Sequence, residues 1–222
     1  MLESVLRSTR ASKIAYTQYT PRYKFIHNKK YDVQIYVQGK SNQIIAFRGS
    51  HNINSLMRFM NFNMSEIHLQ ENSFNVHSGV LDMFRSIEPK LTKHLLVLER
   101  HKNREITFTG HSGGAALAMF ASVYYASIIK KNLVIKCHMF GCPKVGDDKF
   151  VKYFLENTQE SIDISNEHDI VQHIPLISTH YCYNPKKIIL KDNTIDPLYS
   201  HDLDTYNTLL KDKYNLFKQT NA

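Results

Sequence analysis

A chain of 222 residues, 42% hydrophobic and 22% charged, has globular composition and enough length to bury a substantial core, which excludes a disordered, collagenous or low-complexity polymer. The formal net charge of +8 at pH 7 favours anionic partners such as acidic lipid headgroups. The Lys and Arg residues are scattered and no nucleic-acid-binding motif accompanies them, so nucleic acid is not an expected partner.

Residues 3–19 place Val5, Leu6, Ala11, Ile14, Ala15 and Tyr16 at mostly helical spacing, which predicts an amphipathic opening helix. This segment lacks the apolar run of a secretory signal, and no later stretch approaches the eighteen or so apolar residues of a membrane span. The expectation is an intracellular, soluble chain, with peripheral membrane contact left open. "YDVQIYVQ" (31–38) and "QIIAFRGS" (43–50) read as strands joined by the turn "GKSN". "NINSLMRFMNF" (52–62) mixes apolar residues with Asn, Ser and Arg and reads as a surface helix. "EIHLQ" (66–70) is a candidate short strand.

From His77 to about Lys102 the apolar spacing is helical, and Pro89 is expected to kink the helix or open a second one. "REITFTG" (104–110) is a strand, followed by an Ala-rich helix over 112–131. "LVIKCHMFG" (133–141) is the next strand, with Cys137 a buried, inert thiol. Three cysteines, Cys137, Cys142 and Cys182, are too few and too odd in number for a disulfide framework. "DDKFVKYFLEN" (147–157) reads as a helix, "ESIDISN" (160–166) as a strand and "HYCYNPKKIIL" (180–190) as one or two late strands. Residues 200–217 close with a helix. The alternation predicts an α/β fold with a mostly parallel sheet and helices on both faces. No Pro/Gly-rich linker divides it, so residues 1–222 are read as a single domain.

Gly110-His111-Ser112-Gly113-Gly114 fits G-x-S-x-G. A serine nucleophile must stand on a sharp strand-to-helix turn whose flanking positions approach each other, and side chains there would collide. The new helix would also aim its first N–H groups at a developing oxyanion. A tight turn with Ser112 as a plain helix N-cap explains the pentapeptide equally well. The flanking strand and long helix favour the nucleophile. Such a serine needs a base, and the base an orienting acid, in the chain order Ser, Asp or Glu, His. Asp163, Glu167 and Asp169 are the candidate acids, and Asp169, in the loop past its strand, is the best placed. Of the downstream histidines His138, His168, His173, His180 and His201, the last sits where the closing helix begins and could return to the same sheet edge. No His/Cys spacing suggests zinc, and this chemistry needs no metal or cofactor.

Taken together, "IIAFRGS", "VHSGVLDMF", "TFTGHSGGAALA", "MFGCPKVGD", "SNEHDIVQHIP" and "YSHDLDTY" resemble, in order, the motifs of the class 3 lipases, the fungal-type triacylglycerol lipases of the α/β-hydrolase fold. The likeness runs from about residue 30 to residue 210. It implies that Ser112 is the nucleophile, Asp169 the acid and His201 the base, with Ser50 and Gly113 forming the oxyanion hole. It implies a short helical lid over 51–63, with Ile53, Leu56, Met57 and Met60 on one face and Phe59 and Phe62 beside it. The implied activity is hydrolysis of the carboxylic esters of lipids through an acyl-enzyme. Phospholipids and small soluble esters are alternative substrates, and a non-catalytic lipid-binding protein that retains the fold is the alternative class. Three departures stand out. Gly113 replaces the usual Leu, the lid lacks the aromatic–acidic pattern, and the chain is short, without the leader and disulfides of secreted fungal members.

Overall fold

The computed structural model describes residues 1–17, 24–28, 33–39, 42–49, 63–98, 104–128, 133–175 and 187–220. The chain opens with α1 (Leu2–Ala15), β1 (Lys24–Asn28), β2 (Val33–Gln38) and β3 (Asn42–Phe47). A hairpin of β4 (Met64–Leu69) and β5 (Asn72–His77) leads into α2 (Ser78–Leu98). Then come β6 (Arg104–His111), α3 (Gly113–Ile128), β7 (Leu133–Phe140), α4 (Asp148–Asn157) and β8 (Glu160–Asn166). A 3₁₀ turn at Val171–His173 follows, then β9 (Lys187–Leu190), the short α5 (Pro197–His201) and α6 (Leu203–Thr220).

Among the described residues, seven strands form one sheet in the order β1-β2-β3-β6-β7-β8-β9. β1, β2 and β3 pair antiparallel, and every neighbouring pair from β3 to β9 is parallel. Phe47 of β3 lies opposite Gly110 of β6, and His111 of β6 opposite Phe140 of β7. The carboxyl ends of these strands therefore share one edge, which is where open α/β sheets collect their functional groups.

Successive residues of a strand point to opposite faces, and here each face has its own cover. Ile35, Val37, Ile45, Phe47, Ile106, Phe108, Ile135 and Met139 pack with residues of α2, α3 and α4. Every residue of α3 from Gly113 to Val123 is buried, which is why its sequence lacks a polar face. Its Phe120 meets Phe84 of α2 at 4.8 Å between ring centroids. Burial of each such ring contributes about 1.5–3 kcal/mol.

The opposite face carries Thr109 and His138 among its apolar residues, and α1 answers with small hydroxyl residues. Ser8 Oγ lies 2.8 Å from His138 Nδ1, and Ser12 Oγ lies 3.3 Å from Thr109 Oγ1. His138 is fully buried, and its Nε2 meets Glu160 Oε1 at 2.7 Å. Val5 and Leu6 of α1 join Phe140, Ile162, Ile164, Tyr206 and Leu210 to complete this side. Such hydrogen bonds matter because an unpaired buried hydroxyl or imidazole would cost about 1–3 kcal/mol.

Several local expectations need correction. One continuous α2 runs through Pro89. β1 and β5 were not anticipated, because Lys24–Asn28 and Asn72–His77 carry polar residues that mask their alternation. The closing helix is two helices, separated at Asp202. The helix proposed for 52–62 lies outside the described residues, as does 180–186 of the late-strand segment. Cys137 and Cys142 are buried free thiols, and burial pushes Cys137 up to about 12. Among the described residues no helix is long and apolar enough to cross a membrane.

Candidate active site

β6 ends at His111, and the turn into α3 places Ser112 at φ 58°, in the left-handed region. For a serine that backbone costs roughly 1–3 kcal/mol and needs support from its surroundings. Ser112 N–H donates to Phe140 O at 2.9 Å, and Ser112 O accepts from Ala115 N at 2.9 Å and Ala116 N at 3.2 Å. The glycines on either side make the turn sterically feasible. A Cβ on Gly110 would collide with the Gly114 carbonyl, and one on Gly114 with the Phe47 carbonyl of β3. Gly113 is the first residue of α3, where helix geometry leaves an N–H without an intrahelical acceptor next to Ser112.

Asp169 follows β8 in a loop closed on itself. Its N–H donates to Asn166 O at 3.1 Å, and Gln172 Nε2 ties Asn166 O and Asp169 O together at 2.9 and 3.0 Å. Its Oδ1 accepts from Val171 N at 2.8 Å, and its Oδ2 from Tyr206 Oη at 2.7 Å. Burial alone would raise this carboxyl. Its hydrogen bonds to His201, Tyr206 and Val171 outweigh that and hold it below the usual aspartate value.

His201 arrives on α5, whose geometry is written locally. Asp196 accepts from Leu198 N at 2.9 Å, and Pro197 occupies the first turn, so the helix begins where Pro is tolerated. Asn166 Nδ2 grips Ser200 O at 3.1 Å and Asp192 Oδ2 at 2.6 Å, fixing the residue before His201. His201 Nδ1 then lies 2.8 Å from Asp169 Oδ2, and Nε2 lies 2.9 Å from Ser112 Oγ. With Asp169 ionised, Nδ1 carries the ring proton and donates it, leaving Nε2 to accept the Ser112 hydroxyl.

The structure thus joins Ser112, Asp169 and His201 in one hydrogen-bonded chain, although 89 residues separate the first from the last. Asp163 and Glu167 do not enter it. Asp163 faces Lys187 Nζ at 3.8 Å from within β8, and burial pushes its carboxyl up to about 7 despite that neighbour. Glu167 pairs with Lys191 at 3.4 Å on the surface. His138 serves the α1 contact described above. His180, Ser50 and the lid residues Ile53, Leu56, Met57, Phe59, Met60 and Phe62 lie outside the described residues. Among the described residues no group of three His, Cys, Asp or Glu side chains is placed to hold a metal ion.

Four further residues complete the arrangement. Gly141, at the end of β7, has φ 55°, and a Cβ there would stand 2.7 Å from Asp169 Oδ2 and 3.1 Å from His201 Nδ1. Tyr206 ties the end of β8 to the loop that follows it, donating to Asp169 and accepting from Asn166 N at 2.9 Å. His111 is buried beneath His201, with ring centroids 4.6 Å apart. Burial, together with the neighbouring His201, holds its imidazole down near 3, so it stays neutral. Its Nε2 donates to His201 O at 2.6 Å, and its Nδ1 accepts from Tyr16 Oη at 3.0 Å. Tyr16, just past α1, thereby links the first helix of the chain to the backbone of His201. "FGC" and the aromatic after "SH" were visible as motif letters, but nothing local in the sequence pointed to Tyr16.

Comparison with known proteins gives the following. The family model described as lipase (class 3) matches residues 44–179. A secreted mono- and diacylglycerol lipase of Fusarium solani is 24% identical over 159 residues, covering 71% of this chain and 46% of that protein. Phospholipase A1-II 1 of Oryza sativa subsp. indica is 26% identical over 196 residues, covering 77% of this chain and 50% of that protein. The chain therefore spans about half the length of these curated relatives. Among solved structures, the triacylglyceride lipase of Rhizomucor miehei superposes with a TM-score of 0.70 at 21% identity, over 86% of this chain and 81% of that one. The mono- and diacylglycerol lipase of Aspergillus oryzae does so at 0.70 and 17% identity, over 87% and 82%. The fold is that of the α/β-hydrolases.

Proposed function

We infer the function from one premise: this chain belongs to the class 3 lipase family. It is a serine hydrolase that cleaves the carboxylic esters of lipids through an acyl-enzyme. The observation that carries this reading is the Asp169–His201–Ser112 chain of 2.8 and 2.9 Å hydrogen bonds, ending on a serine in strained backbone. Ser112 Oγ attacks the ester carbonyl as His201 Nε2 takes its proton. Asp169 holds the imidazole in the reactive tautomer and stabilises the charge that it gains. The Gly113 N–H, with Ser50 by family resemblance, stabilises the oxyanion, each donor contributing about 3–4 kcal/mol to the barrier reduction. His201 returns the proton to the departing alcohol, and then activates the water that releases the fatty acid.

The relatives' names, a mono- and diacylglycerol lipase and a phospholipase A1, support a glycerolipid as the substrate. The net charge of +8 supports docking at an anionic lipid surface. Residues 51–63 would act as the lid there. A panel of esters varied in chain length and headgroup, assayed with and without a lipid interface, tests the reading. Turnover by the native chain and none by Ser112→Ala is expected. Folded protein that hydrolyses no member of the panel would overturn it.

A further inference from the structure

A cleft of about 380 Å³ opens beside Ser112, between the end of α1 and the corner where α5 meets α6. That volume lies in the range of small-ligand sites, roughly 300–1,000 Å³. Its walls include Lys13, Tyr16, Leu198, Asp202 and Asp204. Two features decide which part of an ester belongs there. The first is direction. His201 must protonate the leaving alcohol, so the alcohol departs on the His201 side, and this cleft is lined by His201 and the residues that follow it. The second is polarity. An ammonium and two carboxylates make a poor wall for an acyl chain, because charged groups resist desolvation against hydrocarbon.

The charges are arranged as a complementary pair. Lys13 Nζ meets Asp204 Oδ1 at 2.5 Å across the cleft, and both side chains are more than half exposed, so this ion pair is worth little by itself and can open. Lys13 keeps further N–H donors for a second acceptor. The Asp202 carboxylate is held in place as the cap of α6, accepting from Asp204 N at 2.9 Å and Thr205 N at 3.3 Å. Among the described wall residues one ammonium and two carboxylates meet at the cleft, and the Arg48 charge acts on Tyr16 beside them, so both signs of charge are present. A headgroup carrying only negative charge leaves Asp202 and Asp204 without a partner. A neutral glycerol gains only neutral hydrogen bonds. A phosphate followed by an ammonium meets both signs.

We propose that this cleft is the alcohol-side subsite for a zwitterionic phospholipid headgroup, with the phosphate on Lys13 and the ammonium on Asp202 and Asp204. The proposal rests on the ester-hydrolase reading and names its substrate class. The test uses dihexanoyl-phosphatidylethanolamine, dihexanoyl-phosphatidylglycerol and dihexanoylglycerol as monomers, with p-nitrophenyl butyrate as an ester without a headgroup. The native chain is expected to favour the phosphatidylethanolamine by about tenfold or more in kcat/KM, one charge-assisted contact's worth. Lys13→Gln lowers that preference mainly through KM, and Asp202→Asn with Asp204→Asn shifts it towards the phosphatidylglycerol. Lys152→Gln, on the exposed face of α4, keeps the native ratios. Equal kcat/KM for the three lipids, or an equal loss on all substrates in Lys13→Gln, overturns the cleft assignment while p-nitrophenyl butyrate turnover leaves the hydrolase reading standing. If p-nitrophenyl butyrate and the lipids are all untouched, the hydrolase reading falls first and the subsite with it. Inhibition by free glycerophosphoethanolamine without any preference among the lipids assigns the cleft to a soluble ligand and overturns the lipid assignment.

Discussion

Gly141→Ala probes the active-site geometry without removing any chemical group from it. The added Cβ would stand 2.7 Å from Asp169 Oδ2, where ordinary contact begins at 3.4 Å, so the carboxylate must retreat by about 0.7 Å. That oxygen is the one accepting from both His201 and Tyr206, so a single displacement strains two bonds of 2.8 and 2.7 Å. The alanine also inherits φ 55°, a backbone cost of roughly 1–2 kcal/mol. Misplacing an orienting group on the scale of an ångström lowers kcat by roughly 10²-fold. The expected variant is folded, less stable by about 1–2 kcal/mol in urea titration and down roughly 30- to 100-fold in kcat on p-nitrophenyl butyrate, with KM little changed. A kcat within twofold of native, in a variant showing the expected stability loss, would refute the claim that Gly141 makes room for the Asp169–His201 bond.

Tyr206→Phe removes one of the donors to Asp169 Oδ2 and should lower kcat about tenfold, the value of one hydrogen bond to a charged group, read as kcat at saturating ester. Asp169→Asn should lower kcat by about 10³- to 10⁴-fold, because the amide cannot hold the reactive tautomer; an equal loss from Asp163→Asn would misassign the acid. Asp163 itself governs a pH effect on stability. Its carboxyl sits near 7 when folded and near 3.8 when unfolded, so the folded chain binds the proton more tightly and stability falls as pH rises from about 4 to 7. Asp163→Asn removes up to about 4 kcal/mol of that slope. Urea melts at pH 4.5, 6 and 7.5 should show the variant gaining on the native chain with each step, and a constant difference would refute the assignment.

The sheet and its central elements were legible because their signals are local. β6 and β8 alternate apolar and polar residues and β7 is mostly apolar, each bounded by turns, and α3 is apolar and Ala-rich because it is buried from Gly113 to Val123. Ser112 announced itself through its glycines: the clash that Gly110 avoids, with the Gly114 carbonyl, is local, whereas Gly114 makes room for the Phe47 carbonyl of β3. Asp169 and His201 emerged from chain order and loop position, and the structure brings both to Ser112. β5 and β1 were hidden because they lie in a side hairpin and on a sheet edge, where polar residues interrupt the alternation. The break at Asp202 depends on α5 being clamped by Asn166, a contact 34 residues away in the chain. Tyr16 and His111 owe their roles to the packing of α1 against the far side of the sheet edge, and no periodicity records that.

The most direct test of the central claim is covalent. Intact-mass analysis after exposure to a fluorophosphonate should show one adduct, mapped to Ser112, abolished in Ser112→Ala and slowed sharply in His201→Ala. A well-folded chain that stays unmodified, or an adduct on a different residue, would contradict the account.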